Sequence, residues 1–359
     1  MVRLTGDLDQ ARSTRRAFMA RSAGTLAAVS GTGGLLAACG SPAADKGEAT
    51  KAAGSGTVQV VNILPPQLGY AAEYIADIDG FFKKEGLTVK VNTARGSAPA
   101  IQAILSGTAL LSWVGWLESV IDIANEGAPI QSVAFTGRRS TLAVVSDKSK
   151  EPLSKPEDFV GNRIGIPSEG GTSETTLDLM LASNGVDQEK VPRQVTGFTP
   201  GTFELIKKGR IAGFVIGASQ EQQFRESQPD SMFLNTADYV TDGLNYISSQ
   251  KGVQSSGDQI KAYMRGLRGA MEQILEDKPK GYPDTLKKLR AKYDFDELKK
   301  DSVAKAYLDF NVGSWVVDGE DKLLKTDPEK WKATYDAAVK VKAAKSGVDV
   351  TKNVVSGMA

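Results

Sequence analysis

The chain has 359 residues, 41% of them hydrophobic and 24% charged, with a formal net charge of +1. That balance fits a globular body large enough for two lobes and gives no electrostatic case for a nucleic-acid partner. There is no His and a single Cys, which removes the commonest general base and zinc ligand and leaves no internal disulfide.

Residues 1–38 read as an export signal. Thr14-Arg15-Arg16-Ala17-Phe18 resembles the twin-arginine signature, and the following residues 22–38 carry no charge and are rich in Gly, Ala, Ser and Thr. Leu36-Ala37-Ala38-Cys39 resembles a bacterial lipobox, in which the Cys is lipidated and becomes the mature N-terminus. The alternative is a short membrane-spanning anchor. So weakly hydrophobic a run is a poor fit to the roughly 20 apolar residues a span needs. The diacylglyceryl group implied by a lipobox supplies two acyl chains, which stable anchoring requires. Residues 39–57 are small, polar and Gly/Ala-rich, and read as a flexible tether. The expected location is outside the cell membrane, lipid-anchored to its outer face through Cys39, or periplasmic.

The folded body is predicted to begin at the β-branched run Val58–Ile63, a strand. Tyr70 to Lys84 has apolar residues at helical spacing and Gly86 as a stop. Leu87–Val91 is a strand, Pro99–Leu105 a helix stopped by Gly107, and Leu110–Val114 a strand. Trp116–Asn125 is a helix closed by Gly127, and Gln131–Phe135 a strand. The rhythm returns with strand Arg163–Ile166, helix Ser173–Asn184, strand Val191–Val195, helix Gly201–Lys208 and strand Gly213–Ile216. Beyond residue 258 the chain turns helical: Asp258–Asp277, Tyr282–Tyr293, Leu298–Phe310 and Pro328–Lys345. Alternating strands and helices predict an α/β fold with two largely parallel sheets. Two extended segments, Thr141–Ser146 and Leu244–Ser248, join the halves as hinge crossovers. The expected organisation is lobe 1 from 58–143 plus 246–359, and lobe 2 from 144–245.

No Gly-x-Ser-x-Gly elbow, Walker A sequence or EF-hand loop occurs, so the sequence offers no catalytic residue, metal site or cofactor site. The order of several segments is instead similar to substrate-binding proteins of bacterial ABC importers, in the branch that binds nitrate, sulfonates, taurine and thiamine-pyrimidine precursors. The segments are Gly69-Tyr70, Gly80–Val89, Ile104–Gly107, Glu126–Ile130, Phe159–Ile166 and Asp327–Trp331. The resemblance covers roughly residues 58–345. It implies a type 2 periplasmic-binding fold that closes on a small ligand, acts as a monomer and delivers its cargo to an ABC permease and ATPase. The family often has an acid after Ser-Gly-x, whereas this chain reads Gly107-Thr108-Ala109-Leu110-Leu111. A related subfamily makes a thiamine pyrimidine by consuming its own His and depends on a Cys-rich motif. This chain has neither, which argues against that activity.

In open α/β sheets ligands sit beyond the carboxyl ends of strands, at helix N-termini. That rule selects Gln67 and Tyr70 after the first strand, Ser97 after the second, and Trp113 and Trp116 after the third. In the second block it selects Ser168, Thr172, Ser173 and Gln220. Trp113 and Trp116 are read either as a stacking wall for a planar ligand or as packing under the sheet. The Ser168–Ser173 loop is read as a hydrogen-bonding cradle or as a plain helix cap. Arg138, next to Arg139, is a candidate anion partner or a solvated surface residue. The Trp pair favours a pyrimidine-like heterocycle, with a sulfonate or taurine next. The competing readings are an exported enzyme using Glu73, Glu118 or Glu169, and an adhesion or sensory lipoprotein.

Overall fold

The computed structural model describes residues 54–150 and 152–359. The export signal, the lipobox with Cys39 and nearly all of the tether lie outside the described residues. The tether is shorter than expected at its far end, because Gly56 and Thr57 already pair with Leu87 and Thr88.

Chain order is β1 (Gly56–Asn62), α1 (Ala71–Ile78), α2 (Phe81–Lys84), β2 (Leu87–Thr93), α3 (Ser97–Leu105), β3 (Leu111–Gly115), α4 (Trp116–Glu126) and β4 (Ile130–Gly137). A second block follows: β5 (Leu142–Asp147), β6 (Ile164–Ile166), α5 (Thr172–Ser183), β7 (Arg193–Val195), α6 (Phe203–Lys207), β8 (Gly213–Gly217), α7 (Glu221–Ser227) and β9 (Ser231–Asn235). The chain then returns with β10 (Leu244–Ser249) and ends in α8 (Gln250–Asp277), α9 (Pro283–Lys292), α10 (Asp301–Trp315) and α11 (Pro328–Lys340).

The strands form two five-stranded sheets, ordered β2-β1-β3-β10-β4 and β7-β6-β8-β5-β9. The two orders are the same pattern used twice. In each, three strands run parallel and the fourth, β10 or β5, is antiparallel to both neighbours. Each antiparallel strand is the first laid down after the chain crosses between sheets. The crossings themselves are the short segments 138–141 and 236–243. This moves the lobe boundaries by two residues: Leu142 pairs with Gly217 in lobe 2, and Leu244 pairs with Gly115 in lobe 1.

β1 shows why the first sheet is covered on both faces. Val58 and Val60 pack toward α1 and α8, whereas Val61 and Ile63 join the core around α3 and α4. A period-2 alternation of β-branched residues requires apolar cover on each side. The predicted helix Tyr70–Lys84 is broken at Gly80, whose φ of +73° suits glycine alone, so α2 restarts at a new angle. α8 starts earlier than predicted. Ser249 caps it by accepting from Gly252 N at 2.9 Å, and Ser256 kinks it with a φ of −135°. α11 begins as expected, with Asp327 accepting from Glu329 N and Lys330 N at 3.0 and 3.2 Å and Pro328 at the first position. Among the described residues, no helix is long and apolar enough to cross a membrane.

Candidate functional site

The carboxyl ends of the parallel strands in both sheets face one cavity of about 360 Å³. That volume suits a small organic molecule. The loop after β1, the N-termini of α3 and α5, the end of β3 and one side of α10 make its walls.

Seven predicted residues meet there: Gln67, Ser97, Trp113, Ser168, Thr172, Ser173 and Gln220. Trp113 is half-buried. Its Nε1 donates to Thr136 Oγ1 at 2.8 Å, and its ring meets Tyr70 edge to face at 5.1 Å. Both contacts fix the indole plane and leave the rest of the ring to the cavity. Ser97 and Thr172 come from opposite lobes, yet their hydroxyl oxygens are 2.8 Å apart. Gly96 allows this approach. Its φ is +102°, and a Cβ there would stand 3.2 Å from Ser168 Oγ. Gln220 Oε1 accepts from Gly217 N at 3.0 Å, so the amide is held against the end of β8.

Three predicted residues lie elsewhere. Tyr70 is 3% exposed and sits behind Trp113, its hydroxyl accepting from Leu64 N at 3.1 Å. It supports the wall and does not form it. Trp116 is 1% exposed and packs on Phe135 at 4.2 Å between centroids. The residue opens α4 and turns inward, so the packing alternative holds for it. Arg138 is buried, and both terminal nitrogens of its guanidinium are engaged. It donates to Asp318 Oδ2 at 3.0 Å and to the carbonyls of Lys322 and Lys325. It ties a crossover to the segment before α11 and faces no ligand space.

Several wall residues escaped the sequence reading, Tyr307, Asn311 and Asp242 among them. Tyr307 and Asn311 stand one turn apart on α10 and line the cavity. Tyr307 donates to Gln67 Oε1 at 2.6 Å, and the Asn311 side-chain nitrogen is buried without a partner. Their spacing on one helix face was visible in Tyr307-Leu308-Asp309-Phe310-Asn311, but nothing local placed that face at the site. Asp242, in the second crossover, also lines the wall. It accepts from Leu117 N at 3.2 Å, Gly243 N at 2.7 Å and Thr176 Oγ1 at 3.2 Å. Burial pushes its carboxyl up to about 6, against the pull of those backbone N–H groups.

The wall is therefore mostly apolar, set with hydroxyls, amides and one buried acid, and among the described residues it lacks a buried cation. Arg95 is its one cationic residue, and it is exposed at the rim. The carboxylates considered for catalysis are also accounted for. Glu73 is buried in the lobe 1 core, where Asn62 Nδ2 donates to it at 2.7 Å and the hydroxyls of Tyr263 and Tyr246 also bond it. Glu118 lies behind Thr172, which donates to it. Glu169 is exposed and is not on the cavity wall.

Two lobes of matching sheet order, two crossovers and a cavity enclosed between them define a type 2 periplasmic binding protein. The chain belongs to the NMT1/THI5-like family, whose model matches residues 67–280. It is 28% identical over 249 residues to the formylaminopyrimidine-binding protein of Halalkalibacterium halodurans, covering 68% of this chain and 72% of that one. It is 26% identical over 215 residues to the riboflavin-binding protein RibY of Chloroflexus aurantiacus, covering 58% and 60% respectively. The alkanesulfonate-binding protein SsuA of Xanthomonas axonopodis pv. citri, bound to MOPS, superposes with a TM-score of 0.66 at 13% identity, over 83% of this chain and 98% of that one. That likeness is one of fold.

Proposed function

We propose that the chain is the solute-capturing component of an ABC importer and that its ligand is a small planar heterocycle of the pyrimidine type. The observation that carries this is the wall itself: one oriented indole, Trp113, opposite hydroxyls and amides, with Asp242 buried and no buried cation. A sulfonate would find only the exposed Arg95 at the rim as a charge partner in such a site, whereas ring N–H and amino groups find acceptors deeper in the wall. Relatives named for a formylaminopyrimidine and for riboflavin support the same choice. The mechanism is lobe closure: the solute bridges both walls and shifts the population toward the closed form, which the permease reads. Export, lipidation of Cys39 and anchoring outside the membrane belong to the same reading and rest on the sequence of residues 13–40.

A thermal-shift panel on the Cys39→Ser chain tests the ligand class with a formylaminopyrimidine, riboflavin, taurine and MOPS. A solute at a hundred times its dissociation constant adds about 2.7 kcal/mol, a shift of several degrees. We expect a heterocycle to raise the melting temperature and the sulfonates to leave it unchanged. The reverse pattern defeats the proposal. Mass-spectrometric recovery of the bound solute unaltered separates binding from turnover.

A further inference from the structure

Ser97 of lobe 1 and Thr172 of lobe 2 both line the cavity and touch across it at 2.8 Å. Opening the cavity must part them. Behind Thr172 lies Glu118, in the first turn of α4, and Thr172 also bonds its Oε2. One turn further along α5, Thr176 bonds Asp242 Oδ2. One helix of lobe 2 thus hands two hydroxyls to two buried acids held by lobe 1 and the crossover.

The acids are not equivalent. Asp242 takes the backbone N–H groups of Leu117 and Gly243, at the start of α4 where the helix dipole favours an anion. Glu118 has no backbone donor, and its Oε1 is buried with no partner at all. An orphaned oxygen costs far less on a neutral acid than on a carboxylate. The charged groups around Glu118 are Asp242 from the crossover and Asp122 from its own helix, both acidic. α3 and α5 face it with hydroxyls, and α11, packed on α4 and α5, buries Trp331, Thr334, Tyr335 and Ala338 there, all neutral. Among the described residues no ion pair reaches it.

We propose that Glu118 is a positioning residue for closure: carrying a proton, it latches lobe 2 over the cavity through Thr172, so that closing the lobes takes up a proton. In the closed form burial pushes the carboxyl of Glu118 up to about 8. Opening hydrates it and returns it toward the ordinary glutamate value of about 4.3. The closed form then binds the extra proton between those two values. Closure is full below about pH 4.3, weakens up to about tenfold per pH unit as the pH rises toward 8, and is flat above. Asp242, pushed up to about 6, adds its own loss over the lower part of that window.

The test needs no ligand and stands apart from the ligand class. Dyes on Lys90→Cys in lobe 1 and Glu189→Cys in lobe 2, both exposed positions, report lobe distance by energy transfer in the Cys39→Ser full-length chain. The closed fraction should fall as the pH is raised from about 5.5 to about 9. Glu118→Gln keeps an acceptor for Thr172 and loses the proton, so its lobes should stay closed with no change above about pH 6.5. Thr172→Val should lower the closed fraction at the acid end and flatten the profile, and it serves alone if Glu118→Gln does not fold. A parent chain whose lobe distance ignores pH overturns the proposal. So does a Glu118→Gln or Thr172→Val chain that keeps the parent profile.

Discussion

The Tyr307 hydroxyl donates to Gln67 Oε1 at 2.6 Å, joining α10 to the loop after β1 across the floor of the cavity. Gln67 opens the segment matched by the family model, and Tyr307 lies beyond its end at residue 280. The site is therefore completed by a helix outside the matched region. Tyr307→Phe should loosen Gln67, and Asn311→Leu should remove a donor that has no protein partner. A lost hydrogen bond is worth about 0.5–1.5 kcal/mol, so each variant should weaken solute binding roughly two- to tenfold by titration calorimetry. Unchanged affinity in both would remove α10 from the site.

The two tryptophans near Gly115 should behave oppositely. Trp113→Ala should weaken binding tenfold or more, since an aromatic wall contributes about 0.5–1.5 kcal/mol beyond its buried area. Its effect on unfolding should be the smaller of the two. Trp116→Ala empties a fully buried site against Phe135 and should cost about 3–5 kcal/mol in denaturant unfolding. A Trp116 variant that folds normally but fails to bind would reverse this assignment.

Gly115 offers a way to prop the clamp open. Its φ is an ordinary −70°, so Ala is allowed by the backbone. A Cβ there would stand 2.8 Å from Thr172 Cγ2, on the other lobe. Gly115→Ala should lower solute affinity while leaving the ligand-free melting temperature nearly unchanged. A large loss of stability would show that this contact persists in the open form.

Arg138 should prove structural. Arg138→Met removes donors from Asp318 and from two carbonyls near α11, although Lys330 still pairs with Asp318. Breaking such a buried pair costs about 3–5 kcal/mol when the partner is left alone, and less here because Lys330 remains. Destabilisation of about 2 kcal/mol with unchanged solute affinity is the expected result, by denaturant unfolding and titration. Loss of affinity without loss of stability would return Arg138 to the site.

The acid limb of stability follows from the same pair. Asp318 is held below the usual carboxylate range by Lys330 and Arg138, against the opposing effect of its partial burial. Its contribution is present above the ordinary aspartate value of about 3.9 and is lost as pH falls through the depressed one. Lys330→Met should shrink that acid loss in a pH-dependent unfolding series. An unchanged acid limb would show that the pairing carries little weight.

The alternating strand–helix rhythm and the cap at Asp327 were legible because each is a local pattern of β-branched runs, Gly stops and Pro starts. Seven wall residues followed from one rule about strand ends. What failed was direction. Trp113 and Trp116 are separated by a strand-to-helix turn that sends one ring to the cavity and the other into the core, and no local signal distinguishes them. Arg138 resembles a surface Arg until Asp318 arrives from far along the chain. Tyr307 and Asn311 reach the site through tertiary packing of α10, which composition does not encode. Strand β9 and helix α7 were missed because Ser231–Asn235 and Glu221–Ser227 have weak periodicity of their own.

The place of β10 has a consequence for how the molecule is made. It lies between β3 and β4, so the first sheet has a gap until residues 244–249 emerge from the ribosome. The second sheet, β5 to β9, is drawn from one continuous stretch. Local contacts form sooner than distant ones, and an unpaired strand edge is a hazard for aggregation. Lobe 2 should be the first unit to fold during synthesis, while β3 and β4 wait with open edges. A stalled or truncated chain ending before residue 244 would therefore present a finished second lobe beside an unfinished first one, a form for chaperones to hold and proteases to clear.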